Sequence, residues 1–271
     1  NDDIRDIAAS ILASDFKGAL QYGLTLGFAG LVEAVVDLCH KQKGIDTSPG
    51  HVAITSGSQQ ALDLLGRLLL NPGDVVFVEL PSYIGGISAF RNLQADLVGV
   101  RQMDDGIDIE HLVNQIEECR QAGKTAKFIY VIPNFQNPTG ITLSLEKSRA
   151  LNEVAERVEL LIVEDDPYGE VYFDSNSATP VSSIKSLDQN ERVVYVSSFS
   201  KILAAGLRTA WVIAAAPIIE KLDLAKQASD LCGSMLDQRI VAECWNRGVV
   251  QRHLPRIREF YSARCTVMLE S

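Results

Sequence analysis

Seven short apolar runs, rich in β-branched residues and separated by longer amphipathic stretches, constrain the fold of this 271-residue chain most strongly. Because the runs show little polar alternation, they predict strands that are buried on both faces, as in a mostly parallel sheet. The predicted strands are 52–55, 75–78, 96–100, 128–132, 160–164, 193–197 and 210–214. Together with helical crossovers they predict an α/β fold with a doubly wound, mostly parallel seven-stranded sheet.

Helical patterns lie between and beyond the predicted strands. Apolar residues recur at helical spacing before the first strand, where Gly44 would end the helix, and again after Gly57. Two further helices are predicted near 109–122 and 145–157, and the segment 217–271 is nearly all helical. The residues that define the first two helical faces are Leu31, Ala34, Val35 and Leu38, then Leu62, Leu65 and Leu69.

Charge and residue content argue against several classes of protein. A formal net charge of −10 disfavours a nucleic-acid-binding surface, which needs a basic face, so no nucleic-acid partner is expected. No apolar run reaches the ~18 residues of a membrane span, so no membrane partner is expected either. The four histidines and five cysteines lack metal-ligand spacing. We therefore expect reduced thiols, no metal site and a cytoplasmic location.

The residues that follow the strands carry the candidate chemistry, because ligands of doubly wound sheets bind beyond the carboxyl ends of the strands. After the first strand, Ser58 and Gln59 open a helix directly behind Gly57. The free N–H groups of a helix start can bind a phosphate, and glycine lets the backbone approach it closely. The alternative is an ordinary helix that starts after a turn.

The end of the sixth strand combines hydroxyl and cationic side chains. Ser198, Ser200 and Lys201 follow the strand, and Arg208 comes seven residues later. A lysine here would lie inside the crevice, and two hydroxyls with an arginine suit a phosphate. The run also matches S-x-x-K, but the S-D-N and K-T-G companions of that β-lactamase-type site are absent from the sequence.

Three other strand ends carry aromatic, amide and acidic side chains. Tyr83 follows the second strand, where an aromatic ring could stack on a flat ligand, and Asn137 lies in a polar loop after the fourth. Glu164, Asp165 and Asp166 follow the fifth strand, where buried acids are costly unless a positive group meets one of them. The alternatives are plain packing for Tyr83 and a tight turn for the loop with Asn137. For the acidic run, two of the acids would be solvated and the third would cap a helix. One ligand would explain every strand end: a phosphorylated pyridine aldehyde.

In this order the residues resemble the fold-type I pyridoxal-phosphate-dependent aminotransferases of class I/II. The specific motifs are Asn137-Pro138-x-Gly140, Asp165-x-x-Tyr168 and Ser198-x-Ser200-Lys201. The resemblance covers essentially the whole chain and is greatest to the group of 2-aminoadipate and broad-specificity aminotransferases. It extends to the aminotransferase-like domain of GntR-type transcription regulators.

The resemblance implies a role for each residue around bound pyridoxal 5'-phosphate. Lys201 would attach the cofactor as a Schiff base, and Asp165 would keep the pyridine nitrogen protonated. Asn137 and Tyr168 would hydrogen-bond the phenolic oxygen of the ring, and Tyr83 would stack on it. Lys201, Asp165 and Tyr168 are the implied catalytic residues.

The remaining implied contacts hold the phosphate group. They come from the backbone of Ser58 and Gln59, from the hydroxyls of Ser198 and Ser200, and from Arg208. Tyr22 would reach the phosphate in the neighbouring subunit's site, which implies a homodimer. The resemblance also suggests a cis peptide bond between Asn137 and Pro138.

The implied activity is transamination between an L-amino acid and a 2-oxo acid. A lyase or decarboxylase of the same fold, and the cofactor-binding effector domain of a GntR-type regulator, remain alternatives. The implied organisation is an N-terminal helical segment (1–20), a cofactor-binding large domain (21–245) and, at 246–271, the start of a helix that leads to a C-terminal small domain. We expect that domain, with its carboxylate-binding arginine, to lie outside this chain.

Overall fold

The computed structural model describes residues 2–172 and 183–270. Within those ranges it contains one eight-stranded sheet, in the order β1-β8-β7-β6-β5-β2-β3-β4. All seven predicted strands are present, and the eighth is a two-residue strand at the edge. The strands are β1 (Val52–Thr55), β2 (Val75–Leu80), β3 (Asp96–Met103), β4 (Gly106–Ile107), β5 (Ala126–Val131), β6 (Leu161–Asp165), β7 (Val193–Ser198) and β8 (Ala210–Ile213).

Most neighbouring strands are parallel. Strand β2 pairs in parallel with β3 and β5, β5 with β6, and β6 with β7. Strand β8 runs antiparallel to both β1 and β7, and β4 runs antiparallel to β3. The start of β8 therefore lies at the same edge of the sheet as the carboxyl ends of β1 and β7, which brings Arg208 to that edge.

The helices cover both faces of the sheet, as predicted for a doubly wound fold. They are α1 (Asp2–Ser14), α2 (Phe16–Ala19), α3 (Ala29–Leu38), α4 (Ser58–Leu69), α5 (Ile84–Asn92), α6 (Ile109–Gln121), α7 (Leu145–Arg157), α8 (Ala216–Ser229), α9 (Met235–Asn246) and α10 (Val249–Leu269). A π-helical turn continues α3 over Cys39–Lys43, and it ends at Gly44 in the left-handed conformation that glycine favours.

Alternating strand residues divide the core into layers. Val76 and Val78 pack on one face of the sheet with residues of α4, α5 and α8. Val75 and Phe77 pack on the opposite face with residues of α6 and α7. A third cluster, from α1, α3, α9 and α10, covers the same opposite face beside β1 and β8. Since successive side chains of a strand point to opposite faces, buried runs without polar alternation require helices on both sides.

No helix within the described residues is both long enough and apolar enough to cross a membrane.

Candidate active site

A pocket at the carboxyl edge of the sheet brings together ten of the eleven predicted site residues. Its volume is about 290 Å³. The predicted residues that line it are Ser58, Gln59, Tyr83, Asn137, Asp165, Tyr168, Ser198, Ser200, Lys201 and Arg208. Ile132, Pro167 and Ala205 complete the lining. The pocket draws on β1, β2, β5, β6, β7 and β8, as expected where parallel strands end together.

One end of the pocket is formed by the start of α4 and by Arg208. Gly57 precedes the helix with φ 85°, in a region that side chains other than glycine rarely adopt. A Cβ atom at Gly57 would collide with the Arg208 guanidinium, so the glycine is needed for this close approach. Arg208 itself has φ 46°, and its Nη1 donates to the Ala205 carbonyl at 3.2 Å. A guanidinium beside a helix start is suited to an anion.

The hydroxyls of Ser198 and Ser200 lie beside this end. Ser198 Oγ donates to Ser200 Oγ at 2.9 Å and accepts from the Ser200 backbone N–H at 3.0 Å. Ser198 is buried at the end of β7, whereas Ser200 is half-buried. The hydroxyls are therefore close enough to act on one ligand group, as predicted.

Lys201 lies on a π-helical turn, Ser200–Ala204, that follows β7. Such turns occur frequently at functional sites. The Lys201 Nζ lies 5.5 Å from the centre of the Tyr168 ring. The sequence predicted a lysine within the crevice, and Lys201 does line the pocket, although the residue is exposed.

Asn137 is held by a hydrogen-bonded loop after β5. Gln136 anchors the loop, because its Nε2 donates to the Pro81 carbonyl at 2.8 Å and its Oε1 accepts from Thr139 N at 2.9 Å. The Asn137–Pro138 bond is cis, as predicted. Asn137 hydrogen-bonds Tyr168; burial raises the pKa of the Tyr168 hydroxyl, and the hydrogen bond from Asn137 opposes that rise.

Tyr83 stands on the opposite wall of the pocket. The residue is half-buried just before α5, and a Cβ at Gly85 would strike its ring. Gln59 Nε2 donates to the Gly85 carbonyl at 2.9 Å. This contact links the start of α4 to the start of α5, next to Tyr83.

Asp165 has a carboxylate that is only half satisfied. Its Oδ2 accepts a hydrogen bond from the Tyr130 hydroxyl at 2.8 Å, while Oδ1 is buried without a partner within the described part of the chain. Burial raises the pKa of Asp165 to about 7; the negative charge of Asp166 adds to the effect, and the Tyr130 hydrogen bond opposes it. A buried oxygen without a donor is costly, so Oδ1 is an open position for an N–H group.

Asp166 points to the other face of the sheet and is fully satisfied. Its Oδ2 pairs with Lys43 Nζ at 2.9 Å and accepts from the Tyr195 hydroxyl at 3.2 Å. Its Oδ1 accepts from Asn134 Nδ2 at 2.9 Å and from Gly169 N at 3.0 Å. Burial by itself would lower the pKa of Lys43, but Asp166 and Glu170 together raise it above its ordinary value.

Glu164 completes the acidic run and is also buried. It accepts hydrogen bonds from Ser183 Oγ and from the backbone N–H groups of Ile184 and Lys185, at 2.8–3.0 Å. Burial raises the pKa of Glu164 to about 8. The alternative considered for this run, two solvated acids beside a helix cap, is wrong, because all three side chains are buried.

The sequence did not indicate two buried partners of the acids. Tyr130 is a polar residue within the buried strand β5, and Lys43 is a charged residue at the end of an apolar helical face. Each is fully or almost fully buried. A polar side chain in an otherwise apolar element is a usable signal that a buried partner is present, although it does not identify the partner.

Tyr22 is the predicted site residue that does not line this pocket. Its side chain is 77% exposed, in the segment between α2 and α3. This position is compatible with the prediction that Tyr22 serves a neighbouring subunit.

Comparison with known proteins gives matches along almost the whole chain. The family model for aminotransferase class I and II matches residues 2–270. The aromatic-amino-acid aminotransferase 1 of Thermococcus litoralis is 39% identical over 99% of this chain and 64% of its own length. The 2-aminoadipate transaminase of Thermus thermophilus is 38% identical over 98% of this chain and 64% of its own length.

Solved structures of aminotransferases also match along almost the whole chain. The Pyrococcus horikoshii kynurenine aminotransferase, in complex with PMP, superposes with a TM-score of 0.94 at 40% identity. The match covers 99% of this chain and 66% of that one. The chain thus spans 64–66% of the length of these relatives.

The HTH-type transcriptional regulator YdfD of Bacillus subtilis also matches. It is 32% identical over 95% of this chain and 52% of its own length.

Proposed function

From the premise that this chain belongs to the class I and II aminotransferase family, we propose that it holds pyridoxal 5'-phosphate and takes part in transamination between an L-amino acid and a 2-oxo acid. The observation that carries the proposal is Oδ1 of Asp165, which has no hydrogen-bond partner among the described residues and is buried at a pocket that also contains a lysine. A pyridinium N–H would satisfy that oxygen. The aromatic-amino-acid, 2-aminoadipate and kynurenine aminotransferases among its relatives support the reaction class.

The residues present fit this cofactor at each of its polar groups. Arg208, the start of α4 and the two serine hydroxyls suit a phosphate. Asn137 and Tyr168 can donate to a phenolic oxygen, and Asp165 can accept from a ring nitrogen. Tyr83 offers an aromatic face on one wall. When bound, the cofactor supplies an electron sink for the bond cleaved at the substrate Cα.

Each of the chain's own residues would then have a separate role in the reaction. The amine of Lys201 would hold the cofactor covalently. Once displaced by the substrate amine, it would take the proton from the substrate Cα and deliver it to the cofactor carbon to which Lys201 had been attached. Asp165 keeps the ring nitrogen protonated through a charge-assisted hydrogen bond. Asn137 and Tyr168 stabilise negative charge on the phenolic oxygen by donating hydrogen bonds to it.

The test is chemical labelling. The purified protein with added pyridoxal phosphate should absorb visible light, and borohydride reduction should fix the label on Lys201. Lys201→Ala should abolish turnover and leave the fold intact. A label on another lysine, or no visible absorption, would contradict the assignment.

A transcription regulator that binds the same cofactor is the second candidate, and the match to YdfD favours it. The two candidates differ in turnover, so the discriminating measurement is the half-reaction with an amino acid. It is made on the full-length gene product, because this chain spans 64–66% of the length of its relatives. Full conversion of the bound cofactor to its aminated form within the time scale of an enzyme, typically about seconds or less, supports the transaminase. Tight cofactor binding without conversion supports the regulator.

We further propose a homodimer in which Tyr22 contacts the phosphate of the partner's site, with residues 21–245 as the cofactor-binding unit. The high exposure of Tyr22 supports this arrangement. Tyr22→Phe should weaken cofactor binding and leave the molecular mass in solution unchanged.

A further inference from the structure

A second ion pair, in which the lysine is buried and the aspartate partly buried, lies next to the phosphate end of the pocket. Lys226, near the end of α8, pairs with Asp230 through Nζ and Oδ1 at 2.6 Å. The Lys226 side chain is 1% exposed and that of Asp230 is 25% exposed. Neither residue lines the pocket. A nearly completely buried lysine is rare unless its charge is paired, so a role for this pair needs an explanation.

Asp230 reaches the phosphate end of the pocket through Gln60. Gln60 Nε2 donates to Asp230 Oδ2 at 2.8 Å, and Gln60 Oε1 accepts from the Ser56 backbone N–H at 2.8 Å. Ser56 Oγ also donates to Asp230 Oδ2 at 3.4 Å. These contacts bracket Gly57 and the first residues of α4, which form the proposed phosphate site.

The carboxylate determines which way the Gln60 amide faces. A carboxylate is only an acceptor, so Asp230 must receive the NH₂ group, and the amide oxygen is then directed to Ser56 N. Glutamine at the third helical position commonly reaches back to the residues before the helix and closes the start of the helix. The Ser56 N–H is thereby engaged by protein, and the turn around Gly57 is held in one conformation.

We propose that Lys226, Asp230 and Gln60 are positioning residues for the phosphate-binding turn, and that they act on the phosphate of the cofactor without touching it. This inference rests on the proposed function. The buried Lys226 neutralises Asp230, so the carboxylate can orient Gln60 without leaving an uncompensated negative charge close to an anion site. Arg208, packed on Gly57, completes the same turn from the pocket side.

The test compares binding of pyridoxal phosphate with binding of pyridoxal, which lacks the phosphate. Gln60→Met removes both hydrogen bonds and leaves the ion pair intact. We expect Gln60→Met to weaken binding of pyridoxal phosphate about tenfold, the effect of one or two lost hydrogen bonds, with a change of less than about twofold for pyridoxal. Asp230→Asn should likewise weaken binding of pyridoxal phosphate more than binding of pyridoxal.

A matched control lies on the same helix. Asp63 pairs with Arg67 at 2.7 Å on α4, four residues apart and exposed. Asp63→Ala should leave both affinities unchanged, because exposed pairs contribute little. Amide hydrogen exchange of the cofactor-free protein gives a second readout, in which Gln60→Met should accelerate exchange at Ser56 and leave the strands unaffected.

The outcomes separate this inference from the proposed function. If the wild-type protein binds pyridoxal phosphate, the inference is overturned when Gln60→Met loses affinity equally for pyridoxal phosphate and pyridoxal, or loses affinity for neither. The proposed function would then still stand. A wild-type protein that binds neither compound would overturn the proposed function, and with it this inference.

Discussion

Asp165 and Asp166 are adjacent and almost equally buried, yet their carboxylates have opposite hydrogen-bonding environments. Asp166 has two partners on each oxygen, including the buried ammonium of Lys43. Asp165 has the Tyr130 hydroxyl on one oxygen, and its other oxygen is unpartnered within the described residues. Because consecutive strand residues face opposite sides of the sheet, one acid meets a protein cation and the other meets the pocket.

The difference shows how to separate a structural acid from a functional one. Buried polar groups nearly always have hydrogen-bond partners. A buried carboxylate with partners on both oxygens therefore acts in the fold, whereas one that lacks a partner at a pocket is a candidate for binding a ligand. We therefore expect changes at Asp165 to affect chemistry more than stability, and changes at Asp166 to affect stability more than chemistry.

The largest expected effect is on turnover in Asp165→Asn. A neutral side chain cannot hold a protonated ring nitrogen, and removing one partner of a buried charge pair costs about 3–5 kcal/mol. We expect the rate of the half-reaction to fall by about two to three powers of ten, measured by rapid mixing with an amino acid. The unfolding temperature of the cofactor-free protein should not fall. A variant of near wild-type rate would refute the role of Asp165.

Asp166→Asn should act mainly on stability. Among the described residues it leaves Lys43 with Glu170 as its carboxylate partner, at 3.1 Å. We expect the free energy of unfolding, measured by denaturant titration, to fall by about 3 kcal/mol. The rate of the half-reaction should fall less than in Asp165→Asn. Glu243→Gln breaks an exposed pair with Arg247 and serves as the control. Equal rate losses at both aspartates would remove the distinction between them.

The stability of the cofactor-free protein should depend on pH through Asp165. Its folded-state pKa, about 7, lies above the ordinary 3.8, so the folded state retains a proton that the unfolded state has released. This contribution is therefore present at low pH and is lost as the pH rises through about 7. The stability of Asp165→Asn relative to wild type should rise between about pH 4 and pH 7 and then level off. A pH-independent difference would show that Asp165 is not perturbed.

Tyr130→Phe should have the smallest effect of these changes. It removes the hydroxyl that donates to Asp165 Oδ2 and that lowers the pKa of Asp165. Cofactor binding near neutral pH should weaken about tenfold, as for one hydrogen bond to a charged group, and its pH dependence should shift upward. An unchanged pH dependence would mean that Oδ2 needs no donor.

Much of this contrast could be predicted from the sequence. The Asp165-x-x-Tyr168 motif contains Asp165 in the first position and not Asp166, and consecutive residues of an extended chain send their side chains to opposite sides. The positions of Asn137 and Ser198 were predictable as well, because a buried strand followed by polar residues marks the ligand-binding edge of a parallel sheet.

The partners of the acids could not be predicted. Lys43 is 123 positions before Asp166 and Tyr130 is 35 before Asp165, and nothing local in the sequence relates them. The link from Lys226 to Ser56 is similar, since it depends on how α8 packs against α4. Such contacts follow from helix packing and strand order, which local patterns do not determine.

The most direct test of the contrast is the protonation state of the cofactor's ring nitrogen, read by ¹⁵N NMR with ring-labelled pyridoxal phosphate. We expect a pyridinium signal in the wild-type protein and in Asp166→Asn, and a neutral pyridine signal in Asp165→Asn. A pyridinium signal that survives in Asp165→Asn, or a neutral ring in the wild-type protein, would contradict this expectation.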